Sequence, residues 1–346
     1  MYNNTENLNK KNQSENSISH LFSGDVLKFI DKTKNNVDDL INIEILKKEF
    51  LIILNFCEKF SHIFKGFLVK AEKYKNMNFS AKTYMELKSD FLNILYQNTE
   101  ISIEYQNILS GNYEVVFNEG LLRVKSEKGD FNHFDFIEIH KGIGAGINTF
   151  YLVAEKIFKD ISEGKVASPT SINAEVSDII NDNFLNIIYE LSVKYSVKLK
   201  NELIIIEILE NEEIPNTQDF KDKIKKLKLI GVKIALDDIE TNVEKIKDSI
   251  KNIILLGDSV DIIKLDGKTI QSIYKLYKEN KKLFESIINN IVTEIRNLYK
   301  KGVKVVAEWI ENLELYNFVK NILGIELFQG FYSKDEKILN IIKNSK

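Results

Sequence analysis

The chain has 346 residues and a net charge of −3, a length that suits one large domain plus an extension and a charge that gives no overall basic field for a nucleic-acid polymer, while leaving a small anionic ligand open. Its one cysteine, Cys57, excludes an internal disulfide, and the polar start Met1-Tyr2-Asn3-Asn4-Thr5 lacks the charged-then-apolar form of a signal peptide. The longest apolar runs, such as residues 50–54, fall far short of the ~20 residues of a membrane span, so no membrane partner and a reducing cytoplasm are expected.

Residues 1–20, rich in Asn, Lys, Ser and Glu, hold too little apolar content to pack and are expected to form a disordered tail, with order beginning near Leu21. Residues 21–100 read as a helical region. Over residues 46–74 an apolar seam recurs at alternate spacings of four and three, through Leu46, Phe50, Ile53, Cys57, Phe60, Phe64, Phe67, Ala71 and Tyr74. That period predicts one helix of about 29 residues. Leu51, Ile52, Leu54, Phe56, Ile63 and Leu68 widen its apolar face, so packing on two or more partners is expected. A second amphipathic helix opens at Ser80 and carries Tyr84, Leu87, Phe91, Ile94 and Leu95. Apolar stripes alone leave open whether this region buttresses the rest of the chain or serves regulation and homodimer formation.

From residue 101 the pattern changes to short β-rich runs, each giving out at a polar residue. Residues 101–109 form the first, and Ser110-Gly111-Asn112 is too short for a crossover, so the first pair is predicted to be an antiparallel hairpin. The later runs are 115–117 before Glu119, 170–172 before Asn173, 203–206 before Glu207, 232–236 before Asp237, 260–263 before Lys264, 303–307 before Glu308 and 325–328 before Gln329. Helical periods cover residues 149–161, 184–197, 220–229, 243–255, 270–299 and 313–323. Strand–helix alternation implies parallel strands with helical crossovers. Eight strands in about 245 residues suit an α/β fold of the (β/α)8 TIM-like barrel type with an antiparallel first strand, spanning 101–346, whose chemistry belongs at the C-terminal strand ends. A single acid after a strand is often only a helix N-cap. Glu119, Glu207, the pair Asp237-Asp238 and Glu308 together form a set suited to divalent metals.

Residues 101–346 resemble an EAL domain, the family of cyclic di-GMP phosphodiesterases. The Glu-Ala-Leu signature stands as Glu119-Gly120-Leu121, followed by Leu122-Arg123 and preceded by Tyr105-Gln106. Asn173-Ala174-Glu175 stands for Asn-Leu-Ser, Glu207-Ile208-Leu209-Glu210 for Glu-x-x-Glu, and Asp237-Asp238 for the Asp pair. Lys264-Leu265-Asp266 matches Lys-x-Asp, Ala307-Glu308-Trp309-Ile310-Glu311 matches Ala-Glu-Gly-Val-Glu, and Gln329-Gly330-Phe331-Tyr332 matches Gln-Gly-Tyr. Any one element is weak; seven in order, each at a strand end, are specific.

The resemblance implies hydrolysis of cyclic di-GMP to linear pGpG with two Mg2+ or Mn2+ ions per site, since paired hard cations shield a phosphodiester and lower the pKa of the attacking water. With four His and one Cys in the chain, zinc is not expected. In the family's arrangement Glu119, Asn173, Glu207 and Asp237 hold one metal, and Asp237, Asp238 and Glu308 reach the other. Lys264 orients or deprotonates the water, its alternative being a structural salt bridge. Arg123 meets a phosphate oxygen, its alternative being a surface arginine. Asp266, Glu311 and Gln329 contact substrate or water at the edge, and Glu210 anchors the loop after the Asp pair.

That loop departs from the family. Ile239-Glu240-Thr241-Asn242-Val243 stands where the family has Phe-Gly-x-Gly, so both glycines are absent, and Asp238 to Lys264 spans 26 positions. Trp309 replaces a glycine beside Glu308. The readings open at this point are a hydrolase, a catalytically weak or inactive cyclic di-GMP receptor, and a protein-interaction module.

Overall fold

The computed structural model describes residues 43–75, 80–126, 131–209, 214–239 and 259–330. The expected tail over 1–20, the onset of order near Leu21, the helix over 243–255, Glu210 and the glycine-less loop after Ile239 lie outside the described residues. So do the side chains of Asp238 and Ile239. Two compact units are present. One takes the described residues of Met1–Ile101 with Arg123–Ala145, and the other those of Ser102–Leu122 and Gly146–Lys346.

The first unit is helical: α1 (Ile43–Lys59), α2 (Ser61–Lys75), α3 (Ala81–Gln97) and α4 (His133–Gly142). The single helix predicted over 46–74 is in fact two. At Phe60 the carbonyl is shared between the amides of Ile63 (3.0 Å) and Phe64 (3.3 Å), a local 3₁₀ tightening that interrupts the helix without a proline. Phe60 sits there in an aromatic cluster, its ring centroid 4.8 Å from Phe56 and 5.3 Å from Phe131, and Phe64 stacks on Phe91 at 5.4 Å. The expectation of several partners for the seam holds, since α1 packs against α2, α3 and α4. The start of α3 at Ser80 is as expected: the Ser80 hydroxyl accepts from the Thr83 amide. Helix α4 was not anticipated from the sequence. It is set by a capping box in which Asn132 accepts from Asp135 N and Asp135 accepts from Asn132 N.

The second unit carries a closed eight-stranded barrel, β1 (Thr99–Ser110), β2 (Val115–Ser126), β3 (Thr170–Ala174), β4 (Ile204–Ile208), β5 (Lys233–Ile239), β6 (Ile262–Leu265), β7 (Lys304–Ala307) and β8 (Leu327–Phe328), although the start of β1, to Ile101, and the end of β2, from Arg123, are counted with the first unit. Strands β2 to β8 are parallel, whereas β1 runs antiparallel to β8, as the short β1–β2 connection predicted. Strand β4 is buried at every position, the continuous apolar signature of a parallel strand covered on both faces. The crossovers include α5 (Gly146–Ser162), α6 (Val176–Ile180), α7 (Phe184–Lys194), α8 (Gln218–Ile230), α9 (Gly267–Glu279), α10 (Lys281–Lys300) and α11 (Leu313–Phe318), the last running into a π-helical turn at Val319–Leu323. The helix predicted over 270–299 is split at Asn280. This residue ends α9 and caps α10, its side chain accepting from the Leu283 amide at 3.1 Å, the competition with helix that makes Asn a terminus former. Strand β2 also runs well beyond the run that suggested it, so Glu119 lies within the strand and not at its tip. Leu122, Val124 and Ser126 are buried at alternate positions and sustain the extension.

One interior cluster fills the barrel below its mouth: Ile108, Phe117, Ile205, Ala235, Ile262, Val306 and Leu327. Six of these stand two residues before Glu119, Glu207, Asp237, Lys264, Glu308 and Gln329. Because strand side chains alternate between faces, the residue two further on shares the same inward face one step closer to the mouth. An apolar layer thus carries a polar layer directly above it. Among the described residues no helix is long and apolar enough to cross a membrane.

Candidate active site

Lys264 stands at the centre of the polar layer and is almost wholly buried. Its ammonium lies 2.6 Å from Glu207 Oε1, 2.9 Å from Asp237 Oδ1, 2.9 Å from Glu308 Oε1 and 3.3 Å from Glu119 Oε2. The Asp237 contact is an ion pair without hydrogen-bond geometry. Glu119 is further held by Gln329, whose Nε2 donates to Oε2 at 2.5 Å, and by Asn173, whose Nδ2 donates to Oε1 at 3.3 Å.

The placement of Asp237 has a backbone cause. Leu236 pairs with Ile263 and Ile239 with Leu265, so two residues of β5, Asp237 and Asp238, oppose the single residue Lys264 on β6. This is a β-bulge, a device that re-aims a side chain locally. It sits at the Asp pair, within the described strand and ahead of the glycine-less loop.

The carboxylates outnumber the ammonium four to one, and burial penalises their charge. Burial, with help from Glu119 and Asp237, holds Glu207 well above the usual carboxylate range despite Lys264. Glu308 is pushed up to about 7, mainly by burial and then by Asp237, against the pull of Lys264. Glu119 moves the other way. Burial opposes its charge, but Lys264 and the donors Gln329 and Asn173 together outweigh that and lower its pKa. Lys264 itself is raised well above its ordinary value, because the four carboxylates outweigh the cost of burying the ammonium.

Several acceptors remain unsatisfied: Glu207 Oε2, Asn173 Oδ1 and Gln329 Oε1 are buried and accept no hydrogen bond. Leaving such an acceptor unpaired costs about 1–3 kcal/mol. An oxygen-only set of carboxylates and amide carbonyls suits hard divalent cations such as Mg2+ or Mn2+, so the residues fit those ions. Among the described residues no three His, Cys, Asp or Glu are already spread around a metal-sized centre; the carboxylates converge on the ammonium instead.

The other sequence-predicted residues lie elsewhere. Asp266 is buried and caps α9, its Oδ2 accepting from the Thr269 amide at 3.3 Å. Glu311 is exposed in the segment after β7 and outside the Lys264 cluster. Arg123 is half-buried on β2, belongs to the helical unit, and lies close enough to His133 to help burial lower that imidazole's pKa.

Sequence reasoning missed why glycine stands within the signature. A Cβ on Gly120 would lie 2.5 Å from Ile157 Cδ1 and 3.1 Å from Ser171 O, so the α5 side chain fills the volume that alanine occupies in the family pattern. The Gly-for-Ala departure was the visible signal. Gly267 was missed as well: its Cβ would come within 2.1 Å of Trp309 Cγ.

A closed barrel with an inward ring of acids around one buried lysine defines a class of acidic, oxygen-donor sites. The chain belongs to the EAL domain family, matching it over residues 89–335. It is similar to the cyclic di-GMP phosphodiesterase PdeA of Borreliella burgdorferi, at 26% identity over 160 residues that cover 46% of this chain and 21% of that protein. The match therefore spans about a fifth of that relative's length. Among solved structures, the EAL enzyme Bd1971 in its cAMP- and cyclic-di-GMP-bound form aligns with a TM-score of 0.57 and 20% identity, covering 83% of this chain and 76% of that one. BlrP1 of Klebsiella pneumoniae, in a manganese and cyclic di-GMP complex, aligns with a TM-score of 0.51 and 17% identity over 68% and 59% of the two chains. These likenesses establish the shared barrel fold.

Proposed function

We propose that the barrel hydrolyses cyclic di-GMP to linear pGpG, assisted by two Mg2+ or Mn2+ ions. The observation that carries this reading is the convergence of Glu119, Glu207, Asp237 and Glu308 within 3.3 Å of one buried ammonium, directly above the apolar floor of the barrel. Family membership supports the substrate, as does the activity of the curated relative.

In this reading Glu119, Asn173, Glu207 and Asp237 hold one cation, and Asp237, Asp238 and Glu308 reach the other. The bound ions supply charge neutralisation of the phosphodiester and acidification of the attacking water. The chain's own contributions are orientation and proton placement. Asn173 and Gln329 fix the Glu119 carboxylate by donating to its two oxygens, which leaves their own buried carbonyl oxygens without a hydrogen bond. The Lys264 ammonium orients the water by donating to it and offsets the negative charge of the carboxylates. Arg123, Asp266, Glu311 and Gln329 are assigned to the substrate's edge, and Glu210 to anchoring the loop after the Asp pair. The chain acts on a small dinucleotide and not on a nucleic-acid polymer, in the cytoplasm, with residues 21–100 serving as a regulatory or homodimerising element.

The test is turnover of cyclic di-GMP by the full chain with Mg2+ and with Mn2+, followed by chromatography of the product. Linear pGpG is expected, and Glu119→Ala or Lys264→Ala should reduce the rate at least about 100-fold. Nucleotide binding without linear product under either metal would replace this reading with that of a receptor; no binding at all would leave an interaction module.

A further inference from the structure

Trp309 is the chain's one tryptophan. It stands between two buried residues, Glu308 and Ile310, yet is itself 47% exposed. Its backbone takes a φ of +54°, a left-handed conformation that bulky residues seldom adopt. The flanking backbone is fixed on both sides: Glu308 N donates to Leu265 O at 3.2 Å, and Ile310 N donates to Gln329 O at 2.9 Å. Gly330 permits that second approach, since a Cβ there would lie 2.4 Å from Ile310 N.

The ring has a matching support. Gly267, the first residue of α9, is buried beneath it, and a Cβ at that position would come within 2.1 Å of Trp309 Cγ and 2.4 Å of Cδ2. An indole is thus held in an unfavourable backbone conformation, seated on a glycine, with about half its surface left to water, on the residue next to a member of the carboxylate ring. Core packing accounts for the seated face but not for the exposed one. A fixed, exposed π-face at that place offers a flat partner what an isolated acidic site lacks.

We infer that Trp309 is a substrate-binding residue that stacks its exposed face on a purine of the substrate beside the carboxylate ring. The inference rests on the reading of the site as a cyclic di-GMP hydrolase. Stacking of this kind is made equally in ground and transition states, so it acts on KM and leaves kcat in place.

The experiment compares the full-length wild type, Trp309→Gly and Trp309→Phe. Glycine relieves the positive φ and so keeps the fold accessible, and phenylalanine retains a smaller ring. Cyclic di-GMP is titrated in EDTA, followed in parallel by calorimetry and by tryptophan emission, and turnover is measured with Mn2+. Expected are saturable quenching of the wild-type emission with the calorimetric Kd, and a rise in Kd and KM of about 5- to 150-fold in Trp309→Gly with kcat within about two-fold. Trp309→Phe should recover most of the affinity. Calorimetric binding without a change in emission, or an unchanged Kd in Trp309→Gly, overturns the stacking role while leaving the hydrolase reading intact. Absence of both binding and turnover in the wild type overturns the two together.

Discussion

Replacing Lys264 by methionine tests the electrostatic account of the site before any chemistry is assayed. The substitution keeps much of the aliphatic stem and removes one ammonium that lies within 3.3 Å of four carboxylates. Breaking a buried ion pair by deleting one partner costs about 3–5 kcal/mol, because the remaining charge is stranded. At about 2–4 °C per kcal/mol for a domain of this size, Tm should fall by about 6–20 °C near pH 8. The deficit must depend on pH. Glu207 and Glu308 have raised pKa values in the fold, Glu308 to about 7. The native state therefore holds protons that the unfolded chain releases above about 4.3, and stability falls as pH rises through that window. Without the ammonium both values climb further, so the gap between wild type and variant widens with rising pH and shrinks toward about pH 5.5. Thermal unfolding by circular dichroism in EDTA at about pH 5.5 and pH 8 reads both effects. An unchanged Tm at the higher pH, or a deficit of equal size at the two, would refute the reasoning.

Further outcomes follow from other parts of the structure. Adding Mn2+ should raise the Tm of Lys264→Met more than that of the wild type, since the cation and the ammonium compete for the same carboxylates, and calorimetric titration should show the tighter binding in the variant. Gly120→Ala should cost about 1–3 kcal/mol in chemical denaturation through overlap with Ile157, and Ile157→Val should return much of it in a double-mutant cycle. His140 sits in the helical unit with Nε2 2.9 Å from Tyr96 OH and Nδ1 2.7 Å from Phe136 O, and burial, with Lys88, pushes its pKa down to about 4 against that second contact. The imidazole is neutral in the fold and protonates more readily when unfolded. Its contribution of about 3 kcal/mol is therefore present above about pH 6.5 and lost as pH falls toward 4; a His140→Gln variant should lack that slope in its unfolding midpoint.

The barrel was legible because each parallel strand is short, apolar and ended by a residue of chemistry. The fixed two-residue step from Ile205 to Glu207, or from Ile262 to Lys264, is written into the sequence by the period of the strand. Less legible were features decided by contacts between distant segments. Nothing near Glu119 announces that β2 continues to Ser126, and the seam through Phe60 gives no sign of a break that arises in an aromatic cluster with Phe131. Asn280 lies within the long helical period of 270–299, which alone gives no sign of the split it makes. Asp266 shows the limit of motif reasoning: the same carboxylate satisfies both a family pattern and a helix cap, and only the Thr269 amide decides what it bonds.

The barrel's closure has a consequence of its own. Strands β1 and β8 meet through two residue pairs, Leu109 with Phe328 and Ser110 with Leu327, where β3 and β4 share five. Strand β7 also meets β8 through two, Val306 with Leu327 and Ala307 with Phe328, so among the described residues β8 is the most weakly stitched parallel strand, and it ends beside Gln329, whose amide steadies Glu119. Local opening draws first on the least paired backbone. Release of β8 from both neighbours, breaking the bond from Gln329 N to Ala307 O, would swing the amide off the carboxylate while the other strands stayed paired, so the site can lose its alignment long before the protein unfolds. The amides of Phe328 and Gln329 would record that parting as early hydrogen exchange.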